Sequence, residues 1–215
     1  MLMVVDNFFS DPYKIRNMGL KGEYYPSPEF RWPGYRYSNL SEEFKKHYLD
    51  KVDSILNQEL NLDTLSFQYI DKSWLNGLCH TDYPPFKYTC LTFLNPKPLS
   101  NSGTEVYLEN PPCGAYAGED DDDILTQYVI RRGAKEKIKT DNQKENYYGS
   151  SKNIIDRWVF NKFKKKYNSV WHDPCIISNR FNRTLIFDSA LYHRAQNFFG
   201  NNVKDSRLTL IGFFI

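Results

Sequence analysis

From residue 66 onward the sequence falls into short runs of alternating apolar and polar residues, each closed by Pro, Asn or Gly. Such runs suit strands with two differently solvated faces, whereas a parallel sheet needs continuous apolar strands separated by helices. Candidate strands cover residues 66–70, 74–82, 87–95, 104–109, 183–188, 190–196 and 207–215. The run 87–95 puts Tyr88, Cys90, Thr92 and Leu94 on one face and Thr89, Leu91 and Phe93 on the other. The expectation is a mainly β protein with flanking helices, built as a sandwich, jelly roll or barrel.

The first 65 residues read differently. Residues 3–9 suit a short strand, and Ser10-Asp11-Pro12 is a helix start that leads toward Leu20. Residues 21–39, rich in Pro, Gly and Tyr, are expected to be ordered loop. A second helix starts at Ser41-Glu42-Glu43, and Phe44, Tyr48, Val52, Ile55 and Leu56 form one apolar stripe suited to packing on a sheet.

A third kind of sequence occupies residues 118–173. It holds the acidic run 119–123, the basic residues Arg131 and Arg132, a polar stretch at 140–151 and a helical pattern over 152–167. It is expected to be an insertion between core strands and a lid over their mouth. The whole chain is then one domain, with 1–65 as N-terminal strand and helices, and 66–117 and 174–215 as the core.

Composition sets limits on function. An apolar fraction of 40% in 215 residues excludes global disorder. The net charge of +2 gives no global drive toward nucleic acid or an anionic membrane. Cys79, Cys90, Cys113 and Cys175 match no zinc or redox spacing and are expected to be buried thiols. The start of the chain lacks a basic region before its apolar run, and no stretch approaches a membrane span. A soluble cytoplasmic protein is expected.

Two of the strands carry residues with metal chemistry. His80 and Asp82 lie two apart, so on a strand both point the same way, and His193 lies on a candidate strand far down the chain. Two imidazoles and one carboxylate on one face of a metal leave the other positions open, as in non-haem Fe(II) oxygenases. Arg207 opens the last strand and offers a planar cation for a dicarboxylate, with the Thr209 hydroxyl on its own face. His47 and His172 have no such partners at strand spacing.

These segments resemble the 2-oxoglutarate and Fe(II)-dependent dioxygenases, and the prolyl-hydroxylase-like branch in particular. His80-Thr81-Asp82 resembles the HxD motif. Thr92-Phe93-Leu94-Asn95 with Ser102-Gly103-Thr104-Glu105 resembles the stretch that carries "YLN" and "GGxT". Residues 183–188 with Leu191-Tyr192-His193 resemble the segment that ends in the second histidine, and Arg207-Leu208-Thr209 resembles the R-x-S/T co-substrate anchor. The resemblance spans residues 69–215. Val5-Asp6-Asn7-Phe8-Phe9 and Trp32-Pro33-Gly34-Tyr35-Arg36 resemble the openings of uncharacterised members, often phage-borne, for which the host cytoplasm is the expected location.

The resemblance implies a double-stranded β-helix core of the jelly-roll or cupin type. It implies Fe(II) held by His80, Asp82 and His193, with 2-oxoglutarate bound by Arg207 and O2 as the oxidant. The expected reaction hydroxylates a C–H bond of an unidentified small molecule or protein side chain and releases succinate and CO2. The family's "YLN" tyrosine is Phe93 here, so Thr209, Tyr69 and Tyr88 are the candidates for its role. Rival readings are a cupin-like or zinc metalloenzyme that does not use 2-oxoglutarate, and a non-catalytic jelly-roll binding module. A nucleic-acid repair oxygenase using Arg131, Arg132 and the basic residues of 162–166 is a third, weakened by the near-neutral charge.

Overall fold

The computed structural model describes residues 1–26, 33–74, 77, 79–109, 168 and 171–215. Their strands are β1 (Leu2–Val5), β2 (Tyr25–Pro26), β3 (Tyr35–Tyr37), β4 (Leu62–Ile70), β5 (Tyr88–Phe93), β6 (Thr104–Val106), β7 (Cys175–Ile177), β8 (Thr184–Asp188), β9 (His193–Ala195) and β10 (Arg207–Phe214). The helices are α1 (Pro12–Leu20) and α2 (Glu42–Leu56). The strands form two antiparallel sheets, one in the order β1-β8-β5-β10-β4-β3-β2 and one in the order β7-β6-β9. Two antiparallel sheets with flanking helices meet the expectation of a sandwich, jelly roll or barrel from the alternating runs, and the jelly roll in particular is what the resemblance implies.

Both helices begin where their capping residues dictate. The Asp11 carboxylate accepts the Lys14 backbone N–H, with Pro12 in the first turn. The Ser41 hydroxyl accepts the Phe44 N–H, and Glu42 and Glu43 complement the helix dipole. α2 ends at Asn57 in the left-handed region, a conformation asparagine tolerates. Tyr48 and Val52, on the expected stripe, are fully buried; Tyr48 stacks on Phe214 and Phe44 on Phe67.

The large sheet therefore has two distinct faces. Cys90 on β5 and Leu94 just after it join Leu65, Phe67, Leu208, Leu210 and Phe214 in a core covered by both helices. Leu91 and Phe93 point the other way, into a core shared with Leu185, Phe187, Ile211, Phe213 and the small sheet's Val106 and Ile177. We call these the helix face and the inner face. Burying each large aliphatic or aromatic side chain contributes about 1.5–3 kcal/mol, so both faces are needed to hold the sheet.

The elements differ from the sequence reading in several places. Residues 21–39 contain β2 and β3, because Tyr25 and Pro26 pair with Arg36 and Tyr35, and β3 pairs with β4. Among the described residues of 74–82 there is no strand, only a bridge between His80 and His193. β7, after Pro174, was not expected. The first strand ends at Val5; Phe8 and Phe9 instead dock on Asn182, whose amide receives the Phe9 N–H and donates to the Phe9 carbonyl, both at 2.8 Å. Cys90 is buried as expected, but Cys175 is exposed. The acidic run 119–123, Arg131, Arg132, Cys113, residues 162–166 and nearly all of the proposed lid lie outside the described residues. Among the described residues, no helix is long and apolar enough to cross a membrane.

Candidate metal and co-substrate site

Three potential ligands converge although they are 113 residues apart at the extremes. His80 and His193 exchange backbone hydrogen bonds, His80 N–H to His193 O at 3.0 Å and the reverse at 2.9 Å. This bridge sets their imidazole rings 4.4 Å apart. The next turn is fixed by the Ser189 carbonyl, which accepts the N–H groups of Asp82 and Tyr83. Asp82 is thereby brought between the rings, with Oδ1 3.7 Å from His80 Nε2 and Oδ2 3.3 Å from His193 Nε2. One ligand atom from each residue lies within 4.8 Å of the other two.

The surroundings orient these groups. His193 Nδ1 lies 3.0 Å from the Leu191 carbonyl, so donation there keeps Nε2 turned toward Asp82. Phe187 packs edge-on against the same ring at 4.7 Å. The Thr89 hydroxyl donates to Asp82 Oδ2 at 2.8 Å and is itself 2.8 Å from the Ser189 hydroxyl. Burial alone would raise the Asp82 pKa; the charge and hydrogen bond of His193, the charge of His80 and the Thr89 hydroxyl together hold it well below the usual carboxylate range. Burial likewise opposes protonation of His193, and the adjacent Asp82 carboxylate more than reverses this. An ionised carboxylate beside two imidazoles is a donor set for a borderline divalent metal.

Arg207 lies farther along the same inner face and is 1% exposed. Its Nε donates to the Ser102 carbonyl at 3.4 Å and its Nη2 to the Thr104 hydroxyl at 3.2 Å. Among the described residues no carboxylate pairs with it, and burial alone brings its pKa down to about 10. A buried cation held only by neutral oxygens costs several kcal/mol unless an anion joins it. The strand that carries it is pinned by Asn95, which donates to the Ser206 carbonyl at 2.6 Å and accepts the Leu208 N–H at 3.0 Å. Gly103 is needed nearby, since a Cβ there would lie 2.1 Å from the Ile177 carbonyl oxygen.

The remaining expected residues divide by strand parity. Thr209 is fully buried on the inner face beside Arg207, its hydroxyl 3.4 Å from the Gln68 carbonyl. Tyr69 and Tyr88 are corrections. Tyr69 pairs with Leu208 and Tyr88 with Phe214, so both turn their side chains to the helix face, away from Arg207. Phe93, where the resembling family has tyrosine, does face inward, and the Arg207 guanidinium sits over its ring at 5.3 Å. The hydroxyl that reaches the Arg207 guanidinium is that of Thr104.

Sequence reasoning missed Thr89, Ser102, Thr104 and Ser189. The signal for Thr89 was present: it is the polar residue on the Thr89-Leu91-Phe93 face of a strand already read correctly. The contacts of Ser102 and Ser189 depend on loop geometry, and that of Thr104 on how the small sheet packs against the large one, neither of which spacing encodes. Glu105 points away from the site and accepts from Arg194, from the Tyr107 hydroxyl at 2.8 Å and from Gln196 at 3.2 Å, tying β6 to the strand that carries His193.

Solved structures of similar fold cover nearly the whole chain. HygX from Streptomyces hygroscopicus, with nickel and 2-oxoglutarate bound, has a TM-score of 0.56 at 15% identity, covering 99% of this chain and 82% of its own. A prolyl hydroxylase from Trichoplax adhaerens, in complex with a hypoxia inducible factor peptide fragment, has a TM-score of 0.56 at 13% identity, with 100% and 83% covered. The non-haem alpha-ketoglutarate-dependent epimerase SnoN from nogalamycin biosynthesis has a TM-score of 0.56 at 10% identity, with 100% and 76% covered. No protein-family model and no curated protein matches the chain. The chain thus has the double-stranded β-helix fold of 2-oxoglutarate and Fe(II)-dependent oxygenases, prolyl hydroxylases among them.

Proposed function

We propose that this protein is an Fe(II)- and 2-oxoglutarate-dependent dioxygenase that hydroxylates a C–H bond of its substrate. The observation that carries the reading is the buried Arg207, which has no carboxylate partner among the described residues and shares its face with the His80–Asp82–His193 cluster. A buried cation on the same face as a potential metal cluster suits a co-substrate that chelates a metal at one end and carries a carboxylate at the other, which neither rival reading calls for.

The residues fit both groups. His80 Nε2, His193 Nε2 and an Asp82 oxygen would hold Fe(II), and Arg207 with Thr209 would bind the distal carboxylate of 2-oxoglutarate. When bound, Fe(II) and 2-oxoglutarate supply O2 activation, with oxidation of a substrate C–H bond and release of succinate and CO2. The chain's own part is positioning. Leu191 and Thr89 fix the orientations of His193 and Asp82, and Asn95 fixes the strand that aims Arg207. Leu91, Phe93, Ile211 and Phe213 line an apolar, water-poor face, which strengthens the charge pairing at Arg207.

Hydroxylation is the finer part of the proposal, because SnoN shows that this fold also carries an epimerase. The substrate is a small molecule or a protein side chain. In a test, purified protein incubated aerobically with Fe(II) and 2-oxoglutarate is expected to form succinate, in a reaction that needs both Fe(II) and O2. His193→Ala is expected to form none. Equal succinate from wild type and His193→Ala, or none from either, would contradict the reading.

A further inference from the structure

Arg36 is a second guanidinium directed at the inner face. It lies on β3 opposite Gln68, which is in turn opposite Thr209, so Arg36, Gln68 and Thr209 project from the same side of the sheet. The side chain then runs along the face, for its guanidinium carbon lies 5.5 Å from the centre of the Phe213 ring. Phe213 is the strand partner of Thr89, whose hydroxyl holds Asp82. The cation therefore reaches the metal-ligand end of the face, whereas Arg207 opens β10 at the opposite end. Burial lowers its pKa and the Asp82 carboxylate raises it, which leaves it at about 10, so the guanidinium is charged at neutral pH. Phe86 stacks on Phe213 at 4.6 Å and completes an aromatic wall beside it.

We propose that Arg36 is a specificity-determining residue that binds an oxyanion of the substrate, a carboxylate or phosphate, against the Phe86–Phe213 wall. This rests on the oxygenase reading, in that the substrate is what approaches the metal ligands from this side. A guanidinium provides several donors in one plane, which suits a planar carboxylate or a phosphate face. Its stem and the two rings would cover the apolar part of the same ligand.

The test uses the Ni(II)-substituted protein with 2-oxoglutarate, which does not turn over, and calorimetric titration with three probes. These are 3-phenylpropionate, its uncharged amide and phenyl phosphate. Wild type is expected to bind at least one of the two anions about ten-fold or more tightly than the amide, and which anion it prefers separates carboxylate from phosphate. Arg36→Gln is expected to erase that preference and Arg36→Lys to keep part of it, with thermal unfolding confirming that each variant is folded. A wild type that binds anions and amide alike, or neither, overturns the inference, and so does a preference that survives in Arg36→Gln. The same titrations report 2-oxoglutarate binding: if wild type fails to bind it, the oxygenase reading falls, whereas normal 2-oxoglutarate binding with an unchanged anion preference removes only the role of Arg36.

Discussion

Along β10, Leu208, Leu210 and Phe214 face the helices, whereas Arg207, Thr209, Ile211 and Phe213 face the small sheet. The same eight-residue strand thus supports two regions of opposite chemistry. On the helix face, Phe67, Leu65 and Cys90 from neighbouring strands meet Tyr48 and Val52 of α2, and the interactions are mostly ring and aliphatic contacts. On the inner face, buried Arg207, His193, Thr89 and Gln68 interrupt the apolar lining. Buried polar and charged groups lower stability unless each is satisfied. The helix face carries the fold, whereas the inner face gives up part of that stability to hold buried cationic and polar groups.

The largest effect that would sharpen this contrast is at Asp82. Asp82→Ala is expected to lower Fe(II) affinity by at least about 100-fold, measured by metal titration under argon, with the fold retained. Metal affinity within a few-fold of wild type would place the iron elsewhere. Arg207→Met should weaken 2-oxoglutarate binding by roughly 30- to 1,000-fold, because one charge-assisted paired contact is lost. Its thermal unfolding midpoint should stay level or rise, since a buried cation is exchanged for an apolar chain of similar size. A large fall in that midpoint would mean that Arg207 belongs to the fold and would break the contrast.

The reverse pattern is expected on the other face. Leu210→Ala should cost about 2–5 kcal/mol in denaturant unfolding, with 2-oxoglutarate affinity of the folded protein unchanged. The smallest effect is at the surface, where Asp6 accepts from Arg183 Nε at 2.7 Å and from Arg180 at 3.1 Å. These arginines, the Arg183 hydrogen bond first, hold the Asp6 carboxyl below its ordinary pKa. A depressed carboxylate stabilises the fold above its unfolded pKa and loses that contribution as pH falls through its folded pKa. Asp6→Asn should therefore cost up to about 1 kcal/mol at neutral pH, with the difference from wild type vanishing in strong acid. An unchanged difference at low pH would assign the effect to packing instead.

How much was legible in the sequence follows the same division. The helix starts could be read from Asp11-Pro12 and Ser41, and the two faces of β5 from its alternation, because these signals are local. β2 and β3 could not be read: Pro, Gly and Tyr fit loops equally well, and only the pairing of β3 with β4 and of β2 with β3 makes them strands. The candidate ligands His80, Asp82 and His193 and the candidate anchor Arg207 are legible as residue types. Their meeting depends on a backbone bridge and on the Ser189 carbonyl, which no spacing predicts. Tyr69 and Tyr88 failed for the simplest reason. Side-chain direction in a sheet has a period of two, so a tyrosine opposite Leu208 rather than Arg207 faces the wrong core.

The central claim is that the His80–Asp82–His193 cluster and Arg207 form one site for Fe(II) and 2-oxoglutarate. The most direct measurement is anaerobic titration of the protein with Fe(II) and then 2-oxoglutarate, followed by visible absorption. A charge-transfer band from the chelated keto acid is expected to saturate at one equivalent of each and to be absent in Asp82→Ala. No band in the wild-type protein, or the same band in that variant, would contradict the account.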